Sequence, residues 1–228
     1  VDVPSCLDVL SAAEKHADKL CTLVDFQTRK DPLYQEAIKK IHEGAIGDPV
    51  LGQCYYHCGR LGTHAEPGTE VARLRNWVFD KALSGDIIVE QNIHVLDVAN
   101  WMLKGHPLKA TGTGGRKARV DVGDCWDHFV VTYEYADGVK VDFSGAQFIN
   151  GFQDDLCMRL YGSLGTADTH YGGAVSIAGK KEEWPGGKTS NIYQDGAIAN
   201  IKDFHAAIVN NKPFTNARDA VDSTLTAI

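Results

Sequence analysis

The chain has 228 residues, of which 43% are apolar and 23% charged, and it carries a net charge of −7 at pH 7. This composition is typical of a globular protein with one large domain or two small ones. The acidic balance argues against nucleic acid and anionic membrane surfaces as partners, and no apolar run reaches the roughly 20 residues of a membrane span.

The front of the chain follows an α/β pattern. Ser5 is expected to cap a helix, and residues 20–26 read as a short buried strand. A helix that leads into an apolar strand is typical of a parallel sheet, and one such unit is too small to fold alone. The chain also begins without Met and ends at Ile228 inside a helical pattern, so we expect both ends to be cuts through a longer protein.

The middle of the chain alternates helices with a strand. Asp31 and Pro32 should begin a helix that ends at Gly44, and a half-buried strand is expected over 50–58. A mostly apolar helix then runs from about Asp86 to Leu103.

The second half of the chain is rich in strands. Residues 128–135 and 139–148 alternate around an Asp-Gly pair, which is a strong hairpin signal. Residues 157–161 form a further strand before a tight turn at 162–166, and residues 172–195 read as glycine-rich and irregular. Two closing helices complete an α+β fold.

The helix over 86–103 carries the most unusual polar pattern. Glu90, His94, Asp97 and Trp101 are spaced to share one face of a buried helix. Buried carboxylates and imidazoles are costly unless paired, and an imidazole flanked by carboxylates is also how general acid–base pairs are built. Spacing alone leaves two readings open, a catalytic pair or a satisfied polar cluster that fixes the helix in register.

A metal site is the weaker interpretation. Glu90 and His94 could bind an ion together with His57 or His64, but no second histidine falls at helical ligand spacing. Six cysteines are too few for a disulfide scaffold, and no Cys-x-x-Cys pair occurs among them. We therefore expect no bound metal.

The chain offers no nucleotide-binding fingerprint of its own. The glycine-rich segments 112–115 and 162–165 lack the Gly-x-Gly-x-x-Gly order, and both read as turns. Several aromatic side chains could stack on a sugar or simply fill the core, namely Tyr55, Tyr56, Trp77, Trp101 and Trp126.

Three stretches resemble the glucose–fructose oxidoreductase and inositol dehydrogenase family (Gfo/Idh/MocA). Residues 26–49 look like its crossover from a cofactor domain to a substrate domain. Residues 85–97 resemble its helix with an acidic residue, a histidine four later and an aspartate three beyond, and residues 162–166 resemble a turn of its sheet. The second stretch is the most specific.

The resemblance implies a large, mostly antiparallel sheet backed by helices, preceded by a remnant of a Rossmann domain at 1–28. Residues 29–228 would be the substrate-binding and oligomerisation domain, and the open sheet face would form a homo-oligomer. NAD or NADP would be bound mainly by a domain upstream of Val1, with Gln27 and Arg29 near the nicotinamide. We expect a cytoplasmic protein, with a periplasmic one left open.

The resemblance also implies hydride transfer from a sugar or polyol hydroxyl. His94 would take the hydroxyl proton and Glu90 would assist it, while substrate contacts would come from Arg29, Asp97, Tyr55 and Trp77. Glu90 departs from the family's usual aspartate by one methylene. Two alternatives remain: a redox-neutral glycosidase that uses NAD transiently, or a non-catalytic domain for ligand binding or oligomerisation.

Overall fold

A computed structural model describes residues 1–189 and 191–228. The strands are β1 (Pro49–Cys58), β2 (Lys109–Gly115), β3 (His128–Glu134), β4 (Lys140–Gln147), β5 (Asp155–Gly162), β6 (Gly165–His170), β7 (Ala174–Gly179) and β8 (Trp184–Lys188). The helices are α1 (Val3–Lys15), α2 (Pro32–His42), α3 (Ala72–Arg75), α4 (Lys81–Ser84), α5 (Ile87–Glu90), α6 (Ile93–Leu103), α7 (Ile192–Val209) and α8 (Ala217–Ala227). Short 3-10 turns cover Gln27–Lys30, Trp77–Phe79 and Ala136–Gly138.

The strands form one eight-stranded sheet in the order β2-β3-β4-β1-β5-β6-β7-β8. β1 and β4 run parallel, and the other neighbouring pairs are antiparallel. This confirms the mostly antiparallel sheet with helices that we expected from the sequence.

Helices cover one face of the sheet and leave the other open. Along β1, Cys54, Tyr56 and Cys58 are buried against the helices, while Gln53 and the other alternate side chains are more exposed. α2 and α6 pack on the buried side and close the main core. We call the two sides the helix-covered face and the open face.

The structure confirms two local features predicted from the sequence, a helix N-cap and a hairpin turn. The Asp31 carboxylate accepts hydrogen bonds from the backbone N–H groups of Leu33 and Tyr34, as an N-cap should. Asp137 and Gly138 both have positive φ, as a tight hairpin turn requires.

The front of the chain differs from the sequence prediction. α1 begins at Val3 and is capped by Asp2, not Ser5. The strand expected over 20–26 does not form, and among the described residues the segment is reduced to a single β-bridge between Thr22 and Thr215. α1 instead packs against α8 through a small apolar cluster of its own.

Two glycine-rich segments that read as turn and loop are strands. Residues 112–115 belong to β2, where a Cβ on Gly112 would lie 2.7 Å from the Val131 side chain, so glycine allows the close pairing. The stretch 172–195 contains β7 and β8. Among the described residues, no helix is both long and apolar enough to cross a membrane.

Candidate active site

The helix predicted over 86–103 is broken in the middle. α5 ends at Glu90, α6 begins at Ile93, and the N–H of Asn92 donates to the carbonyl of Ile87 five residues back, at 2.9 Å. Such a wide turn inserts a residue into the helical repeat and is frequent at functional sites. Glu90 and His94 therefore do not share one continuous helical face.

Tertiary packing accounts for the break. Asn92 is fully buried against β4, where a Cβ on Gly145 would lie 2.2 Å from the Asn92 amide oxygen. The apolar residues of α5 and α6 on either side are buried in the core. Glycine at 145 thus leaves space for the side chain that marks the break.

His94 lies in the first turn of α6 among aromatic rings. Its ring centre is 6.1 Å from that of Phe26, edge to face, and 5.7 Å from that of Tyr171. Burial lowers the pKa of His94 to about 4, and the nearby Asp25 carboxylate offsets only part of this effect. The lowered pKa keeps the imidazole neutral near neutral pH, and its buried Nδ1 atom has no hydrogen-bond partner among the described residues.

A polar chain holds residues 25–27 beside His94. Asn200 donates to Asp25 at 2.6 Å, Gln27 donates to Asp25 at 3.2 Å, and the Tyr171 hydroxyl donates to Gln27 at 3.1 Å. The sequence reasoning named Gln27 but missed Asp25, Tyr171 and Asn200. No local signal marks them, because they come from separate parts of the chain.

Glu90 is the second unusual acid–base group. Burial raises its pKa to about 7, and its Oε2 atom has no hydrogen-bond partner in the part of the chain that the structure describes. Its carboxylate lies close enough to Cys58 to add to the effect of burial, which raises the pKa of that thiol to about 12. No hydrogen bond joins Glu90 to His94 among the described residues.

Arg29 and Asp97 bind each other. Two guanidinium nitrogens of Arg29 donate to the two Asp97 oxygens, each at 2.9 Å, and the Ser223 hydroxyl adds a third bond of 2.8 Å. Arg29 also stacks on Trp101 and reaches Asp219 at the surface. This pair ties the 3-10 turn that follows Phe26 to α6, and so positions the neighbours of His94.

The structure does not bring Tyr55 and Trp77 to His94. Tyr55 lies on the open face, where its ring stacks on His57 at 5.4 Å between centres. Trp77 is 45% exposed in its 3-10 turn, with no described contact to His94. Because His57 also lies on the open face, it is not placed to share a metal ion with Glu90 and His94.

Unpaired buried polar atoms concentrate around the break. Glu90, Asn92 and His94 each hold at least one, and so does Gln147, whose amide nitrogen donates to Gln91 at 2.8 Å. A buried polar atom without a partner costs about 1–3 kcal/mol. Of these residues, Glu90 and His94 are half-buried and could bind a ligand, whereas Asn92 and Gln147 have no exposed surface.

Comparison with known proteins identifies a family to which this fold corresponds. A family model described as the GFO/IDH/MocA C-terminal domain matches residues 34–168. An inositol 2-dehydrogenase of Ralstonia nicotianae is 26% identical over 178 residues, which cover 78% of this chain and 47% of that protein. The chain thus spans about half the length of this curated relative.

Solved structures share the architecture. The myo-inositol 2-dehydrogenase of Lactobacillus plantarum aligns with a TM-score of 0.73 and 18% identity, covering 99% of this chain and 66% of that one. A levoglucosan dehydrogenase in complex with NADH and levoglucosan aligns with a TM-score of 0.69 and 18% identity, covering 91% and 62%. At these identities the likeness concerns the fold.

Proposed function

Since this chain belongs to the GFO/IDH/MocA family, we propose that it is the substrate domain of an NAD(P)-dependent oxidoreductase that oxidises a sugar or polyol hydroxyl. The observation that carries the proposal is His94, a half-buried imidazole that its lowered pKa keeps neutral and whose buried Nδ1 atom has no hydrogen-bond partner among the described residues. Oxidation of an alcohol needs a group that removes the hydroxyl proton as hydride leaves, and a positioned histidine is the most common choice.

The cofactor would bind mainly outside this chain. Bound NAD(P) would supply the hydride acceptor. The residues present fit only its nicotinamide end, where Gln27 and His94 both contact Tyr171 and the His94 Nδ1 atom lacks a partner. Residues 112–115 form a strand and 162–165 a hairpin turn, so we assign the pyrophosphate to a separate dinucleotide-binding domain, with residues 1–28 as its last part.

The remaining side chains would bind and orient the substrate. Glu90, which is half-buried and has an unpaired Oε2 atom, can hydrogen-bond a hydroxyl next to the reacting carbon. One relative is an inositol 2-dehydrogenase and one structural neighbour is a levoglucosan dehydrogenase, which supports a sugar or polyol as the substrate class. Asp25 would hold Gln27 in place and Arg29 would hold α6 through Asp97.

The test is a substrate panel with the chain joined to a dinucleotide-binding domain. We expect at least one cyclic polyol or sugar to reduce NAD or NADP, followed by the absorbance of the reduced nicotinamide. Absence of reduction across inositols, aldoses and anhydrosugars, with tight binding of the cofactor, would contradict the proposal.

Glu90 favours one second candidate, redox-neutral glycoside cleavage. A carboxyl group with a pKa of about 7 is protonated in part at neutral pH and could protonate a leaving oxygen. Release of phenolate from aryl glycosides, without net NADH formation, would identify this activity in the same panel.

A further inference from the structure

A second cluster of reactive side chains lies on the open face and is distinct from the site around His94. In the β5–β6 hairpin, Cys157 pairs directly with His170, and Arg159 pairs with Asp168. Ligand atoms of Cys157, Asp168 and His170 all lie within 4.8 Å of one another. Residues two apart on a strand share a face, so the hairpin register aims all three to one side.

The distances in this cluster match a tetrahedral zinc site. Bond lengths of about 2.3 Å to sulfur and about 2.0 Å to nitrogen or oxygen place tetrahedral ligand atoms about 3.5 Å (sulfur to oxygen) and about 3.3 Å (nitrogen to oxygen) apart. The Cys157 sulfur lies 3.5 Å from Asp168 Oδ1, and His170 Nε2 lies 3.3 Å from the same oxygen. One ion could therefore reach all three atoms with little movement of the side chains.

Neighbouring groups already orient the ligands. Asp155 binds His170 Nδ1 at 3.1 Å, so the other ring nitrogen faces Cys157 and Asp168. Metal-bound histidines almost always donate their second N–H to such a partner. Arg159 holds both oxygens of Asp168, at 3.1 and 2.9 Å.

Charge is balanced with an ion present. A Cys157 thiolate and the carboxylates of Asp155 and Asp168 carry three negative charges, which Arg159 and one divalent cation would neutralise.

We propose that Cys157, Asp168 and His170 bind one divalent, thiolate-seeking cation of the zinc type, with water at the remaining position. A thiolate, an imidazole and a carboxylate form a donor set suited to zinc. The site lies on the face opposite the helices, so it is separate from the proposed oxidoreductase chemistry and does not depend on it. It revises the expectation of no metal, which rested on the histidines near Glu90 and on the spacing of the cysteines along the sequence.

Cobalt titration of the reduced, metal-free protein tests the proposal. We expect one equivalent of Co²⁺ to give the visible bands of a tetrahedral ion and a near-ultraviolet thiolate-to-cobalt charge-transfer band, both removed by one equivalent of Zn²⁺. Cys157→Ser should abolish the charge-transfer band. Asp155→Asn keeps all three ligands and should weaken zinc binding about 10–100-fold, as loss of an orienting partner does.

Two matched variants serve as controls. Cys21→Ser removes a half-buried cysteine outside the sheet, and His205→Gln removes an exposed histidine on α7, so both should bind the metal like the parent. Circular dichroism verifies that each variant folds. A parent protein without the charge-transfer band, or a band that survives Cys157→Ser, would overturn the proposal.

Discussion

At the scale of single residues, two half-buried groups have pKa values shifted in opposite directions. Burial raises the pKa of Glu90 to about 7 and lowers that of His94 to about 4. Both shifts favour the neutral form, as expected for groups withdrawn from water. For Glu90 the stability linked to the neutral carboxyl is full below pH 4.5 and is lost as pH rises through 7. For His94 the stability linked to the neutral ring is full above pH 6.5 and is lost as pH falls through 4.

These opposing effects should largely cancel in the parent protein and appear in the variants. As pH rises from 4.5 to 7, the unfolding free energy of Glu90→Gln should increase by about 3 kcal/mol more than that of the parent, because only the His94 effect remains. Over the same rise in pH, the unfolding free energy of His94→Asn should fall by about as much relative to the parent, because only the Glu90 effect remains. Urea denaturation at several pH values measures both. Identical pH trends in all three proteins would contradict the buried, neutral state of these groups.

The sequence pointed to His94 and Glu90, because a polar pair in an apolar helix is conspicuous. It could not point to Asp25 and Asn200, whose hydrogen bond joins residues 175 positions apart. By contrast, the pairing of Cys157 with His170 could have been predicted from the sequence. The turn predicted at 162–166 sets the register of β5 and β6, and that register alone places the two residues opposite each other.

At the scale of elements, the decisive feature is the interrupted helix of α5 and α6. Periodicity predicted one helix over 86–103, because the segment is mostly apolar and contains no Gly or Pro. The break depends on the contact of Asn92 with Gly145 in β4, and helical periodicity contains no such information. By contrast, α2 and the β3–β4 hairpin were predictable, because the Asp31 N-cap and the turn residues at Asp137 can be recognised in the sequence itself.

The link between Arg29 and α6 should dominate the stability of this region. Asp97→Asn removes the fully buried carboxylate that pairs with the partly buried Arg29 and leaves Arg29 only the exposed Asp219, and breaking a buried pair costs about 3–5 kcal/mol. The melting temperature should fall by roughly 6 °C or more in a protein of this size. Asp219→Asn is the matched control, since it removes a largely exposed partner of the same arginine and should cost under about 1 kcal/mol. Equal melting temperatures for the two variants would show that the buried pair does not hold α6.

At the scale of the whole molecule, the open face is the surface that most needs a partner. Helices cover one side of the sheet, while Val130 and Leu51 on the other are 53% and 42% exposed. We expect two copies to associate through this face. Val130→Glu should then convert a dimer to a monomer in light scattering, because it places a charge in the interface. Leu7→Glu, on the exposed side of α1, should leave the dimer intact, and a parent protein that is monomeric at high concentration would contradict the expectation.

The central claim is that His94 removes the hydroxyl proton of the substrate. Steady-state kinetics of His94→Asn, in the chain joined to a dinucleotide-binding domain and with its best polyol or sugar, tests it most directly. Loss of a general base should lower kcat by about 10²–10⁴-fold with little change in KM. The Asp97→Asn variant, assayed below its melting temperature, should retain most of its turnover. A His94→Asn enzyme with near-normal kcat and a lowered melting temperature would make His94 a core residue and contradict the proposed role.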